Sequence, residues 1–171
     1  MAVDVEALQQ TQRDGPEGQR DRRPLANYAL LAGIFNAGFA SALVKADRDG
    51  KVPERIAAED VLLVGIATHK LSRIVTKEAV TGFARAPFTR YKGSSGKGEV
   101  EEVPKGRGLR RTVGELLTCP YCMDQWIAGA FTAGMLLAPR RTRVVASMFA
   151  SLAISDGLQM AYVAGKHSTE R

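Results

Sequence analysis

The chain has 171 residues, 45% hydrophobic and 25% charged, with a formal net charge of +6. Two cysteines exclude a disulfide-stapled secreted scaffold, and 6% aromatics leave Ala, Leu, Val and Gly to build any core. The positive balance suits an anionic partner, either lipid headgroups or nucleic acid.

These averages hide segregation. Residues 9–23 and 85–111 are polar, glycine-bearing and basic, whereas 25–44, 61–67, 126–138 and 144–154 carry almost no charge. Met1 to Arg23 reads as a disordered tail closed by Arg20, Arg22 and Arg23. Asp4, Glu6, Asp14 and Glu17 make it too acidic for a signal peptide. Leu25 to Val44 then runs for twenty uncharged residues before Lys45. At ~1.5 Å rise such a helix reaches ~30 Å, the thickness of a hydrocarbon core. Gly33/Ala37 and Gly38/Ala42 give it the small-xxx-small spacing used in close helix contacts. The competing reading is a buried helix of a soluble bundle.

Residues 46–58 form a mixed-charge connector with a turn signal at Asp47-Arg-Asp-Gly50. Ala57 to Val75 has a short apolar centre, Val61 to Ala67, flanked by Glu59, Asp60, His69, Lys70 and Arg73. It either spans with Lys70 and Arg73 snorkelling, or lies along the membrane surface. Thr76 to Arg111 is a basic connector. Its Gly93-Ser-Ser-Gly-Lys-Gly98 tract fails the phosphate-loop spacing, because Tyr91 stands where the first glycine is needed, and reads as a flexible linker. Thr112-Val-Gly-Glu115 has capping-box spacing and predicts a helix start. Pro120 suits the first position of the next helix, which runs to Ala138 with Trp126 at interfacial depth. Pro139-Arg-Arg-Thr-Arg143 reads as a tight basic turn before a last apolar segment, Val144 to Ala164.

Four spans place the tail and the basic connector together in the cytoplasm, as the positive-inside rule prefers, but leave Arg140, Arg141 and Arg143 on the other side. Three spans reverse that. The four-span arrangement is preferred, and with it a cytoplasmic N-terminus.

Two features carry chemistry. Cys119 and Cys122, in Cys-Pro-Tyr-Cys, fall at a helix start, where amide dipoles favour a thiolate and Asp124 opposes it. The tetrapeptide is that of glutaredoxins, but no buried strand precedes it and no later strands complete such a sheet. The pair is structural, redox-active, or half of a metal site pooled between two chains, since His69 and His167 are the only other soft ligands. Asp156 lies inside the last apolar segment, where an acid calls for a partner. Asp156, His69 and Arg73 form a candidate intramembrane polar cluster, with Arg73 or Lys70 to pair with the acid. Arg85, Arg90, Lys92, Lys105, Arg107, Arg110 and Arg111 suit anionic lipid headgroups. Phe83, Phe88 and Tyr91 interleave with them, yet the flanking apolar spans favour lipid, and no specific nucleic acid is expected.

Over residues 57–164 the chain resembles the bacterial domain of unknown function 1360 family. The resemblance rests on Ala67-Thr-His-Lys-Leu-Ser-Arg73, Arg85-Ala-Pro-Phe-Thr-Arg90, Gly98-Glu-Val, Gly114-Glu-Leu-Leu-Thr-Cys-Pro-Tyr-Cys122 with Trp126, and Ser155-Asp-Gly-Leu-Gln159. It implies a small multi-span membrane protein, some of whose relatives in spore-forming bacteria carry sporulation labels, and it implies no activity. Met123-Asp-Gln departs from the smaller, more apolar residues expected there, which argues against deep burial of Cys122.

The expected fold is therefore an all-α integral membrane bundle of three or four helices. Its parts are a tail (1–23), a first membrane helix with connector (24–56), a family-like membrane region (57–164) with the basic loop 76–111, and a C-terminal tail (165–171). The expected role is a non-enzymatic scaffold or assembly component of the cell membrane that needs no cofactor. Its partners are the lipid bilayer and either further copies or other membrane helices. The alternatives are a membrane thiol-disulfide oxidoreductase using Cys119 and Cys122, and a soluble helical bundle binding an anionic polymer.

Overall fold

The structure is a computed structural model and describes residues 25–169. The tail assigned to 1–23 lies outside the described residues, as do the last two residues.

Helix α1 covers Leu25–Arg48, with Lys45 and Arg48 in its last turn against the negative end of the helix dipole. It stops in a Schellman cap. Gly50 adopts φ 64°, its N–H donates to Asp47 O at 3.0 Å, and the Lys51 N–H donates to Ala46 O at 2.8 Å. Helix α2, Ala58–Thr76, opens with Glu59 and Asp60 at its positive end. A 3-10 turn (Ala79–Thr81) and a short helix α3 (Gly82–Arg85) follow. Strands β1 (Thr89–Gly96) and β2 (Glu99–Pro104) pair antiparallel, and helix α4 spans Gly108–Thr118. Helix α5 is Pro120–Leu137, with Pro120 in its first turn, and α6 is Pro139–Thr169.

The long helices form one bundle. Helix α2 packs on both α5 and α6, those two touch each other, and α1 lies against α5. Asp60 pairs with Arg143 and Lys70 with Asp156, so α2 and α6 run parallel. Tyr28 donates to Glu115 near the start of α5, and the Phe35 ring sits edge-on to Trp126 at 5.5 Å, so α1 runs parallel to α5. One end of the bundle therefore gathers the starts of α1 and α5, the end of α2 and the hairpin. The core is small: Ala67 from α2, Met123, Ile127 and Phe131 from α5, and Ala146 from α6, with Leu63, Val64, Leu71 and Phe149 against it.

Helix dominates, but the all-α expectation needs correcting at the connector. The Gly93–Gly98 tract is not a flexible linker. Gly98, at φ 78°, supplies the left-handed residue that turns β1 into β2, and Gly96 pairs with Glu99 across the turn. Arg85 is the reason the hairpin is fixed. Its guanidinium, 1% exposed, donates to Glu102 at 2.5 Å, to Val75 O at 2.8 Å, to Thr81 Oγ1 at 2.6 Å and to Glu78 O at 3.0 Å. One side chain thus joins the end of α2, the 3-10 turn and β2. Arg85 accordingly leaves the set of lipid-facing cations. At the rim of the hairpin, the Lys92 ammonium hydrogen-bonds Glu101 and holds its carboxyl below the ordinary carboxylate range.

Two boundaries also differ from expectation. Helix α4 starts at Gly108, so Thr112 and Glu115 lie inside it: Thr112 Oγ1 bonds back to Gly108 O, and Glu115 takes Arg111 and Tyr28. Pro139 to Arg143 is the first turn of α6, and Ala138 alone makes the corner at φ −144°, ψ 62°. Residues 165–169 of the expected C-terminal tail continue α6.

The glycines that permit packing are not those with small-xxx-small spacing. A Cβ on Gly33 or Gly38 would meet nothing within 4 Å, whereas on Gly129 it would lie 2.6 Å from the Phe35 ring. On Gly114 it would lie 2.6 Å from the backbone oxygen of Phe88. A backbone atom cannot rotate away, so Gly114→Ala is expected to lose about 1–3 kcal/mol in spite of alanine's better helix propensity. Gly33→Ala is expected to be neutral or stabilising; thermal unfolding in detergent micelles followed by circular dichroism compares them. The same assay tests the buried ion pair. Arg85→Met alone strands the Glu102 carboxylate and is expected to cost about 3–5 kcal/mol, while Arg85→Met with Glu102→Leu recovers much of the loss.

Candidate functional site

The thiols stand at the hairpin end. Cys119 is the N-cap of α5, extended at φ −109°, ψ 106°, and its sulfur accepts the Cys122 N–H at 3.3 Å. The cap explains the geometry: a helix start leaves N–H groups without partners, and a polarisable sulfur takes one of them. Pro120 has no N–H to satisfy, which fixes its place in the first turn. The Cys122 thiol points at the Cys119 sulfur, 2.7 Å away, and both cysteines are free. A disulfide needs ~2.05 Å between sulfurs, so a small movement would close one. Cys119 is half-buried and Cys122 exposed. Among the described residues no three His, Cys, Asp or Glu side chains gather as a metal site.

The three residues grouped as a polar cluster separate in space. Asp156 faces Lys70 at 2.9 Å, and the same ammonium reaches Glu78 at 2.6 Å. Arg73 turns instead to Glu99 on β2. His69, exposed, lies on the wall of a groove. The result is a relay of ion pairs from α6 through α2 to the hairpin, in which Lys70 is only 13% exposed. Glu78 and Glu102 were not singled out from the sequence, and Glu99 entered only within the motif Gly98-Glu-Val. For Glu99 and Glu102 the signal was the run Glu99-Val-Glu-Glu102 opposite a connector otherwise rich in cations, and Glu78 had none.

The groove is the feature that no motif announces. It has a volume of about 870 Å³ and lies between α2, α5 and the linker before α2. Val61, Val64, Ala128, Met135 and Leu136 give it apolar walls. Thr68, His69, Asp124 and Gln125 line its hairpin end, while Lys51, Arg55 and Arg143 line the opposite end. Thr68 Oγ1 and Asp124 Oδ1 are buried without a hydrogen-bond partner. Its residues come from two stretches some sixty positions apart, between Lys51 and His69 and between Asp124 and Arg143, so only the folded bundle brings them together.

Comparison with known proteins bears on a long stretch of the chain rather than on any one of these sites. A "Sporulation protein YjcA" of Bacillus subtilis (strain 168) is 32% identical over 72 residues, which are 40% of this chain and 61% of that relative. The chain thus spans about 61% of the length of the curated relative it matches. No solved structure matches. The family described as "Protein of unknown function (DUF1360)" matches residues 63–162, which takes in most of α2, the hairpin, the thiols, part of the groove and Asp156. That stretch is more than half of the chain, and the protein belongs to the DUF1360 family.

Proposed function

We propose that this protein is a multi-pass scaffold of the cell membrane, with its hairpin and both ends of the chain on the cytoplasmic side. One observation carries the reading. Helices α1 and α6 are long and apolar enough to cross a membrane, yet only 6% and 11% of their most apolar stretches are buried inside the protein. A core helix of a soluble bundle is mostly covered by its own chain; these two are not. Val144, Leu158 and Tyr162 on α6 are each more than 60% exposed, and Leu25 on α1 is 72% exposed. Surface of this kind is covered by acyl chains or by partner helices.

Helices α2 and α5 sit innermost in the packing order, where other helices cover part of their surface. At 19 and 18 residues, they reach ~27–29 Å, enough to cross beside α1 and α6. The arginines that a four-span arrangement leaves outside are partly answered too, because Arg143 forms a two-pronged pair with Asp60 at 2.9 and 2.7 Å. Arg90 and Arg107 on the exposed face of the connector suit anionic headgroups. The relative is named a sporulation protein, and a part in sporulation is carried to this chain as a proposal on that name alone. Reporter fusions test the arrangement. Fusions at Lys97 and after Arg171 are expected to report the cytoplasm, and one at Lys51 the opposite side. Lys97 and Lys51 on one side would contradict it.

The 2.7 Å approach of the sulfurs favours a second reading, a thiol-disulfide exchange site. The scaffold reading expects both thiols free in rapidly alkylated chains from growing cells, and unchanged membrane insertion of Cys119→Ser with Cys122→Ser. A disulfide fraction in those cells that rises and falls with oxidant would favour exchange instead.

A further inference from the structure

We propose that the segment 79–87 dips into the anionic lipid surface of the hairpin-side leaflet, with Val80 and Phe83 at the headgroup boundary and Lys105 and Arg110 on lipid phosphates. The proposal rests on the membrane reading above and adds to it a contact made by the connector. Its first support is the way the segment divides. Thr81 and Arg85 turn inwards: Thr81 Oγ1 donates to Ile74 O and the Arg85 guanidinium to Val75 O, both in the last turn of α2. Ala79, Val80, Phe83, Ala84, Ala86 and Pro87 are left exposed, and none of the six has a polar side chain. Val80 is 71% and Phe83 81% exposed. Val80, Phe83 and Ala84 have the i, i+3, i+4 spacing that puts side chains on one side of a helical turn. In a connector otherwise rich in charge, an apolar face turned away from the protein calls for a cover.

Depth and charge choose the cover. From Asp60, paired with Arg143 at the opposite face, α2 runs sixteen residues, ~24 Å, to Thr76, and the segment begins three residues later. A hydrocarbon core ~30 Å thick ends at about that level. The rim of the apolar face is basic. Lys105 Nζ donates to Ala86 O at 2.5 Å, and the Arg110 guanidinium donates to Pro87 O at 2.9 and 2.6 Å. These bonds hold both cations at the edge of the face formed by Val80 and Phe83. Neither cation has a carboxylate partner among the described residues, and each keeps N–H donors beyond those given to the carbonyls. Apolar side chains at the acyl boundary with cations beside them is the arrangement by which amphipathic segments lie on anionic membranes.

The test uses the full chain with Phe83→Trp and Trp126→Phe, reconstituted in vesicles of dioleoyl phosphatidylglycerol and dioleoyl phosphatidylcholine in equal parts. Should Trp126→Phe disturb the contact with Phe35, Phe83→Trp alone is read by difference from the unaltered chain. The new indole is expected to be shielded from aqueous iodide and quenched by lipid brominated near the glycerol end of its acyl chains. Vesicles of phosphatidylcholine alone are expected to lower the inserted fraction at least fivefold, since one cation near an anionic surface shifts such an equilibrium about fivefold. Lys105→Gln with Arg110→Gln, which leaves each carbonyl a donor, is expected to make the two kinds of vesicle alike. An indole open to iodide, or one shielded from iodide and bromine alike by protein, overturns the proposal, as does equal insertion in both vesicles with the two cations in place. If the chain withstands an alkaline carbonate wash of its membranes, the membrane reading survives such a result. A chain stripped off by carbonate overturns both.

Discussion

Helices α1 and α6 carry apolar surface that the other described residues leave largely uncovered, and the architecture follows from that shortage. The internal core amounts to a few side chains from α2, α5 and α6, with alanines at two of its five buried positions. Such a core suffices only if the outer faces of the helices do not have to be hidden by the protein itself. Burial at ~25 cal/mol per Å² would otherwise draw α1 and α6 inwards, and the sequence provides neither the aromatic bulk nor the polar outer faces for that. Polar groups are spent where chain meets chain instead, in the pairs Asp60–Arg143 and Lys70–Asp156 that set α6 alongside α2.

At the hairpin end the currency changes from apolar contact to hydrogen bonds. The connector is basic and has little to bury, so its order comes from Arg85, whose donors saturate carbonyls and a carboxylate drawn from three separate segments. Arg73 to Glu99 and Lys70 to Glu78 extend the same device. The thiols, the ion-pair relay and the hairpin therefore belong to one end of the molecule.

Much of the helical part was legible in advance. The uncharged run after Pro24, the proline at the start of α5 and the position of the thiols at a helix start are all encoded locally, by hydropathy length and by the missing N–H of Pro120. The family resemblance was legible too, because its motifs are short and contiguous. The hairpin was not. Its strands carry glycine, serine, lysine and glutamate in place of alternating apolar residues, and what holds them is the long-range bond from Arg85 to Glu102. Asp156 was recognisable as needing a partner, but helical phase decided for Lys70: Arg73, three residues on, points to β2. The capping-box pattern at Thr112 misled because Gly108, at φ 57°, had already begun the helix a turn earlier. The groove had no sequence signal at all, since its walls come from segments that become neighbours only in the bundle.

The central claim is that lipid, not protein, surrounds the outer faces of α1 and α6. Light scattering of the purified chain, with and without detergent, tests it most directly. A chain that disperses uniformly in micelles and aggregates when detergent is removed is the expected result. A uniform, fully helical particle in plain buffer would contradict it.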